Sequence, residues 1–130
     1  MTKADHLTYW LNTAAFDWPA VQRMMAAGDY IHGLFFAHLV IEKLSKAHWV
    51  KDNEESIPPK IHNINKRWQR TRLAPTDEQV DLATRLNAYQ IEGRYPEYMR
   101  ELRAATNAGL AAEIFTEVTH LRTWLLSTLP

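Results

Sequence analysis

Apolar side chains recur every three or four residues through most of this chain, and only four Gly and six Pro interrupt them. That spacing is the signature of amphipathic helices, and no stretch shows the alternation of a half-buried strand. Leu7, Trp10, Leu11, Ala14, Ala15, Trp18, Val21, Met24 and Met25 form one face of a first helix. Pro19 falls inside that run and, lacking a backbone donor, is expected to kink or break it. Ala26-Ala27-Gly28-Asp29 reads as a helix stop followed by a start, with Gly28 suited to positive φ and Asp29 to an N-cap. A second helix runs from Ile31 to about Lys51. It carries Leu34, Phe35, His38, Ile41, Glu42, Ser45, His48 and Trp49 along one stripe.

After the polar, proline-closed loop Asp52–Pro59, the segment Ile61 to about Arg70 reads as either a short helix or an irregular stretch. Thr76-Asp77-Glu78-Gln79 is a capping box that opens a third long helix, expected to end near Gly93. Pro96 suits the first position of a shorter helix through Met99 and Leu102. A last helix starts at about Asn107 and carries Leu110, Ile114, Phe115, Val118, Leu121, Leu125 and Leu126. The expectation is an all-α, up-and-down bundle of four long helices with additional short ones, forming a single domain over residues 1–130.

Composition narrows the function classes. The absence of Cys removes disulfide scaffolds, thiolate zinc sites and cysteine nucleophiles together. No apolar leader and no membrane-length apolar run can be read, so the chain is expected to be cytoplasmic and not membrane-bound. Fifteen basic and fifteen acidic residues cancel, which argues against a binder that uses its whole surface on nucleic acid. The cancellation is uneven, however. Residues 60–75 hold Lys60, Lys66, Arg67, Arg70 and Arg72 with no acid, among His62, Asn63, Asn65 and Trp68. Cations interleaved with an aromatic and amides suit a phosphate or single-stranded RNA contact, although a solvated connector is the plainer reading of such a surface density.

Three groups of residues carry potential chemistry. On the second helix, His38 and Glu42 are four apart, as are Glu42 and Lys46, with Lys43 beside them. Such neighbours share a face, and a carboxylate tunes imidazole protonation. A histidine in an apolar stripe also reads as a plain core residue. Glu117-Val-Thr-His120 is one half of a di-iron bundle motif with no second half, so no metal is expected. Around Gly93, the residues Asn87, Tyr89, Glu92, Arg94, Tyr95 and Glu97 read either as an anion site at a helix end or as a buttressed turn.

These residues also carry a family resemblance. The runs Tyr9-Trp10-Leu11…Asp17-Trp18, Gly28-Asp29-Tyr30 and Phe35-Phe36-Ala37-His38-Leu39-Val40-Ile41-Glu42-Lys43-Leu44-Ser45-Lys46-Ala47 resemble a HEPN domain (higher eukaryotes and prokaryotes nucleotide-binding). Pro58-Pro59-Lys60-Ile61-His62-Asn63-Ile64 is similar to the family's proline-then-His segment, and Arg94-Tyr95-Pro96-Glu97 to its Arg-Tyr-Pro-acid signature. The resemblance implies a helical bundle that dimerises, often encoded beside a minimal nucleotidyltransferase in toxin–antitoxin or defence pairs. Other relatives are metal-independent endoribonucleases whose Arg, a short distance before a His, forms a composite site across the dimer.

This chain departs from the ribonuclease pattern. Its histidines are His6, His32, His38, His48, His62 and His120, and none has an Arg five to seven positions upstream. The expectation is therefore a non-catalytic HEPN-type homodimer without cofactor. It would bind a nucleotide or nucleic-acid phosphate, or dock a nucleotidyltransferase partner. Arg94, Tyr95, His62, Asn63, Lys43 and Lys46 are the expected phosphate-binding residues. One alternative is an endoribonuclease with a non-standard set, His62 or His38 as base and Arg94 on phosphate. The other is a pure helical interaction module.

Overall fold

The computed structural model describes residues 1–130 as six helices: α1 (Lys3–Ala26), α2 (Tyr30–Asp52), α3 (Ile64–Trp68), α4 (Asp77–Asn87), α5 (Pro96–Ala105) and α6 (Ala108–Ser127). The chain is all-α, as the periodicity predicts. Its starts are set by side-chain caps that satisfy otherwise orphaned backbone donors. Thr2 and Asp5 form a reciprocal capping box on α1, and Thr76 and Gln79 form another on α4. Asn63 caps α3 and Asn107 caps α6. Asp29 sits at the N-cap of α2 without bonding through its side chain, and Pro96 opens α5.

Two expectations are corrected. Pro19 does not break α1, which continues to Ala26. Ala14, Trp18, Val21 and Met25 bury on both sides of the proline, and the packing of that continuous face outweighs one missing hydrogen bond. Burying side chains of this kind contributes about 1.5–3 kcal/mol each for the larger ones. The helix opened by the capping box stops at Asn87 rather than near Gly93; a turn occupies residues 88–95, with Gly93 at φ +74°. The undecided segment after the loop resolves into the short α3.

Helix α2 is the spine of the molecule. Fourteen of its 23 residues are buried, and it packs against α1, α3, α4 and α6. Gly33 lets α1 come close: a Cβ there would lie 2.6 Å from the Met25 sulfur. Leu34, Ile41, Leu44, Leu86, Val118 and Leu125 meet in one core cluster with residues of α1, α3 and α4. Helix α5 contributes no fully buried residue and lies on the bundle through Tyr98, Met99 and Leu102. No helix is long and apolar enough to cross a membrane.

Candidate phosphate cleft

A spine buried on most of its circumference has to carry its polar residues inside the protein, and α2 does so at one level. Glu42 is 3% exposed and His38 fully buried. A buried carboxylate requires partners. Glu42 finds His62 Nδ1 at 3.0 Å and Lys46 Nζ at 3.5 Å, both on Oε1. A carboxylate only accepts, so Nδ1 carries the hydrogen of the His62 bond. The Lys46 ammonium also rests over the Trp10 ring, 4.6 Å from its centroid. Burial pulls Lys46 below the usual lysine range, with the Glu42 charge opposing.

Below this carboxylate lies Arg67, 1% exposed, whose Nη2 donates to the carbonyls of Pro59 and Ile61 at 2.7 Å each. The guanidinium thus pins the strand-like approach that presents His62. Burial lowers its affinity for its proton, and the charge of Glu42 counteracts that loss. On the same level, Trp68 Nε1 donates to Ser45 Oγ, which donates to the Ile41 carbonyl.

Asn87, the last residue of α4, joins this interior to the surface. Its Oδ1 accepts from the backbone N–H of Ile64 at 3.1 Å, and its Nδ2 donates to Asn65 Oδ1 at 3.0 Å. Those bonds fix the amide orientation, so His38 Nε2, 3.1 Å from the same Oδ1, is the donor. Burial, more than any other influence, holds His38 below the usual histidine range, against the opposing pull of Glu42. The neutral ring then turns the lone pair of Nδ1 toward Glu42 Oε2 at 3.8 Å, and neither atom has a hydrogen-bond partner.

In front of this polar interior opens a cleft of about 380 Å³, lined by His62, Asn63, Asn87, Gln90, Glu92, Gly93 and Arg94. No lining side chain is apolar. His62 is 61% exposed at its side chain, so Nδ1 faces inward to Glu42 while the rest of the ring meets solvent. Arg94 donates from Nε to the Gln90 carbonyl at 3.2 Å and stacks on the Tyr98 ring at 4.6 Å. Its two terminal nitrogens are left for an external acceptor. A fork of this kind matches phosphate or carboxylate oxygens.

The structure therefore brings together His62, Asn63 and Arg94 from separate segments, with His38 behind them through Asn87. Tyr95 is 79% exposed and does not line the cleft. Lys46 shares Glu42 Oε1 with His62 but does not line the cleft. Lys43 pairs with Asp17 of α1 at 2.5 Å and stands apart from the cleft. Glu117 is engaged by Arg85 at 2.5 Å across the α4–α6 groove. Two contributors escaped the sequence reading. Gln90 carries no local signal, and Arg67 looked like one surface cation among five.

A comparison with protein-family models matches the HEPN domain over residues 7–122. No match is found among curated proteins or among solved structures. The matched span takes in most of α1, all of α2 to α5, most of α6 and every residue of the cleft, so the chain that builds this polar site at the end of α4 belongs to the HEPN domain family.

Proposed function

We propose that this HEPN domain binds the phosphate of a nucleotide or of RNA in the cleft between the approach to α3 and the turn after α4. The observation that carries this reading is the convergence of His62, Asn63 and Arg94 on one wholly polar cleft. Arg94 supplies the fork, His62 a ring nitrogen that donates once protonated, and Asn63 and Gln90 amides for the sugar or base edge. Lys60 and Lys66, both exposed and near in sequence, extend the positive side toward a longer strand. We propose a non-catalytic role, in a homodimer or docked on a minimal nucleotidyltransferase, within a toxin–antitoxin or defence pair. Phe16, 84% exposed, and Tyr9, 50% exposed, lie seven residues apart on the outward side of α1 and support such a docking face.

The test is thermal melting of the purified protein with adenosine 5′-monophosphate and with adenosine. The nucleotide raises the midpoint and the nucleoside does not; Arg94→Ala removes the shift while its own midpoint stays within a few degrees of wild type. Equal shifts from nucleotide and nucleoside would overturn the phosphate reading.

One observation favours an endoribonuclease as the second reading. His62 Nδ1 is held by a buried carboxylate, the arrangement that readies the other ring nitrogen to take a proton. Single-stranded RNA cleaved in the presence of chelator, with cleavage lost in both His62→Ala and Arg94→Ala, supports that reading. Intact RNA after incubation with well-folded protein retires it.

A further inference from the structure

Resting on the phosphate reading above, we propose that anion binding in the cleft is proton-linked through His62, with Glu42 as the residue that positions it. The geometry divides the ring between two tasks. Nδ1 donates inward to Glu42 Oε1 at 3.0 Å, while 61% of the side chain stays exposed at the cleft. With the hydrogen fixed on Nδ1, the neutral ring presents the lone pair of Nε2 to the cleft, and a phosphate oxygen meets that lone pair unfavourably. Once Nε2 takes a proton, both ring nitrogens donate: one to the buried carboxylate and one to the phosphate. The complex therefore forms with uptake of one proton, and Glu42 stabilises the imidazolium that results.

Other charged groups face the same ring and set the background. From α2, Lys46 shares Oε1 of Glu42 with His62, and His38 faces Oε2 at 3.8 Å. From α3, Arg67 sits buried beside the carboxylate and holds the backbone at Pro59 and Ile61. From the turn after α4, Arg94 adds positive charge to the cleft and Glu92 opposes an anion. Lys46, Arg67 and Arg94 place cationic side chains around the carboxylate and the cleft. His62 alone joins a bond to the buried carboxylate with a ring face open to the cleft. His38 is the internal rival, because its unpartnered Nδ1 and Glu42 Oε2 leave a place for a proton between them.

The experiment uses fluorescence anisotropy with a labelled tetrauridylate, 2′-O-methylated and free of terminal phosphate. Its diesters do not titrate between pH 5 and 8, and it cannot be cleaved through a 2′-hydroxyl. Wild-type affinity falls as pH rises, approaching about tenfold per pH unit on the alkaline limb, as one linked proton requires. His62→Asn keeps an amide donor for Glu42 and loses the second nitrogen; its binding is weaker and flat with pH. Glu42→Gln retains an acceptor without charge, so its profile moves to lower pH while affinity at the acidic limit is kept. Glu92→Gln binds more tightly with the slope unchanged. A wild-type affinity that is flat with pH overturns the proton linkage and leaves the phosphate reading standing. A slope that persists in His62→Asn and disappears in His38→Gln overturns the assignment to His62. Absence of binding at every pH overturns both readings together.

Discussion

Two histidines of α2 are held neutral by where the helix places them. His38 donates to Asn87, and His48 donates from Nε2 to the Leu125 carbonyl at 2.9 Å, with Thr128 Oγ1 at 3.1 Å from the same nitrogen. Each ring keeps an unpartnered Nδ1 in the interior. Burial is the largest influence on both and lowers both from the ordinary 6.5. A histidine whose pKa is depressed in the folded state takes up a proton more readily once unfolded. Its stabilising contribution is complete above pH 6.5 and is lost as pH falls toward the folded value. Stability is therefore expected to level off above neutrality and to drop below pH 6.5. The slope is at most about 1.4 kcal/mol per pH unit for each histidine. Urea midpoints between pH 5 and 8 measure it. His48→Gln keeps the donor that meets Leu125 and reduces the slope; an unchanged slope would place the proton uptake elsewhere.

At the scale of elements, legibility followed locality. The two capping boxes, the Asn107 start and the Pro96 start depend on residues within one turn, and these were readable from spacing alone. Pro19 does not end α1 because its local cost is offset by contacts distant in sequence, with Trp18, Val21 and Met25 packed on the core. Tyr89 and Ile91 continue the apolar spacing past Asn87, so spacing alone extends α4 beyond its actual end. Tyr89 in fact leaves the helix to bond Thr106 Oγ1 at 2.8 Å. The candidate site divided the same way. His62, Asn63 and Arg94 stood out by residue type, whereas the burial of Arg67 and the linking role of Asn87 depend on tertiary placement. Pro19 also yields a prediction, since it is exposed and costs its helix a donor. Pro19→Ala restores the hydrogen bond and should raise stability by about 1–3 kcal/mol, read as a higher urea midpoint with unchanged slope. A lower midpoint would mean that the proline shapes the α1 face.

Across the whole molecule, the balanced charge conceals a sorted surface. Of the five cations in residues 60–75, Arg67 is withdrawn into the interior, where it bonds the Pro59 and Ile61 carbonyls, while Lys60, Lys66, Arg70 and Arg72 remain exposed. Lys60 and Lys66 flank the segment that carries His62 and Asn63, whereas Arg70 and Arg72 sit at the C-terminal end of α2 beside Asn53 and Asp52. Family membership supplies the nucleotide- and RNA-related setting, and the cleft of His62, Asn63 and Arg94 is the place we propose for it. A phosphate held there is salt-sensitive, because its partners are solvent-accessible cations. The most direct measurement is a two-dimensional 1H–15N NMR titration of the labelled protein with the 2′-O-methylated tetrauridylate, at low and at moderate salt. The account predicts shifts concentrated at His62, Asn63, Asn87, Gln90 and Arg94, diminished by added salt, with the Lys43–Asp17 face unmoved. Shifts confined to the α1–α2 face, or none in the cleft at low salt, would contradict it.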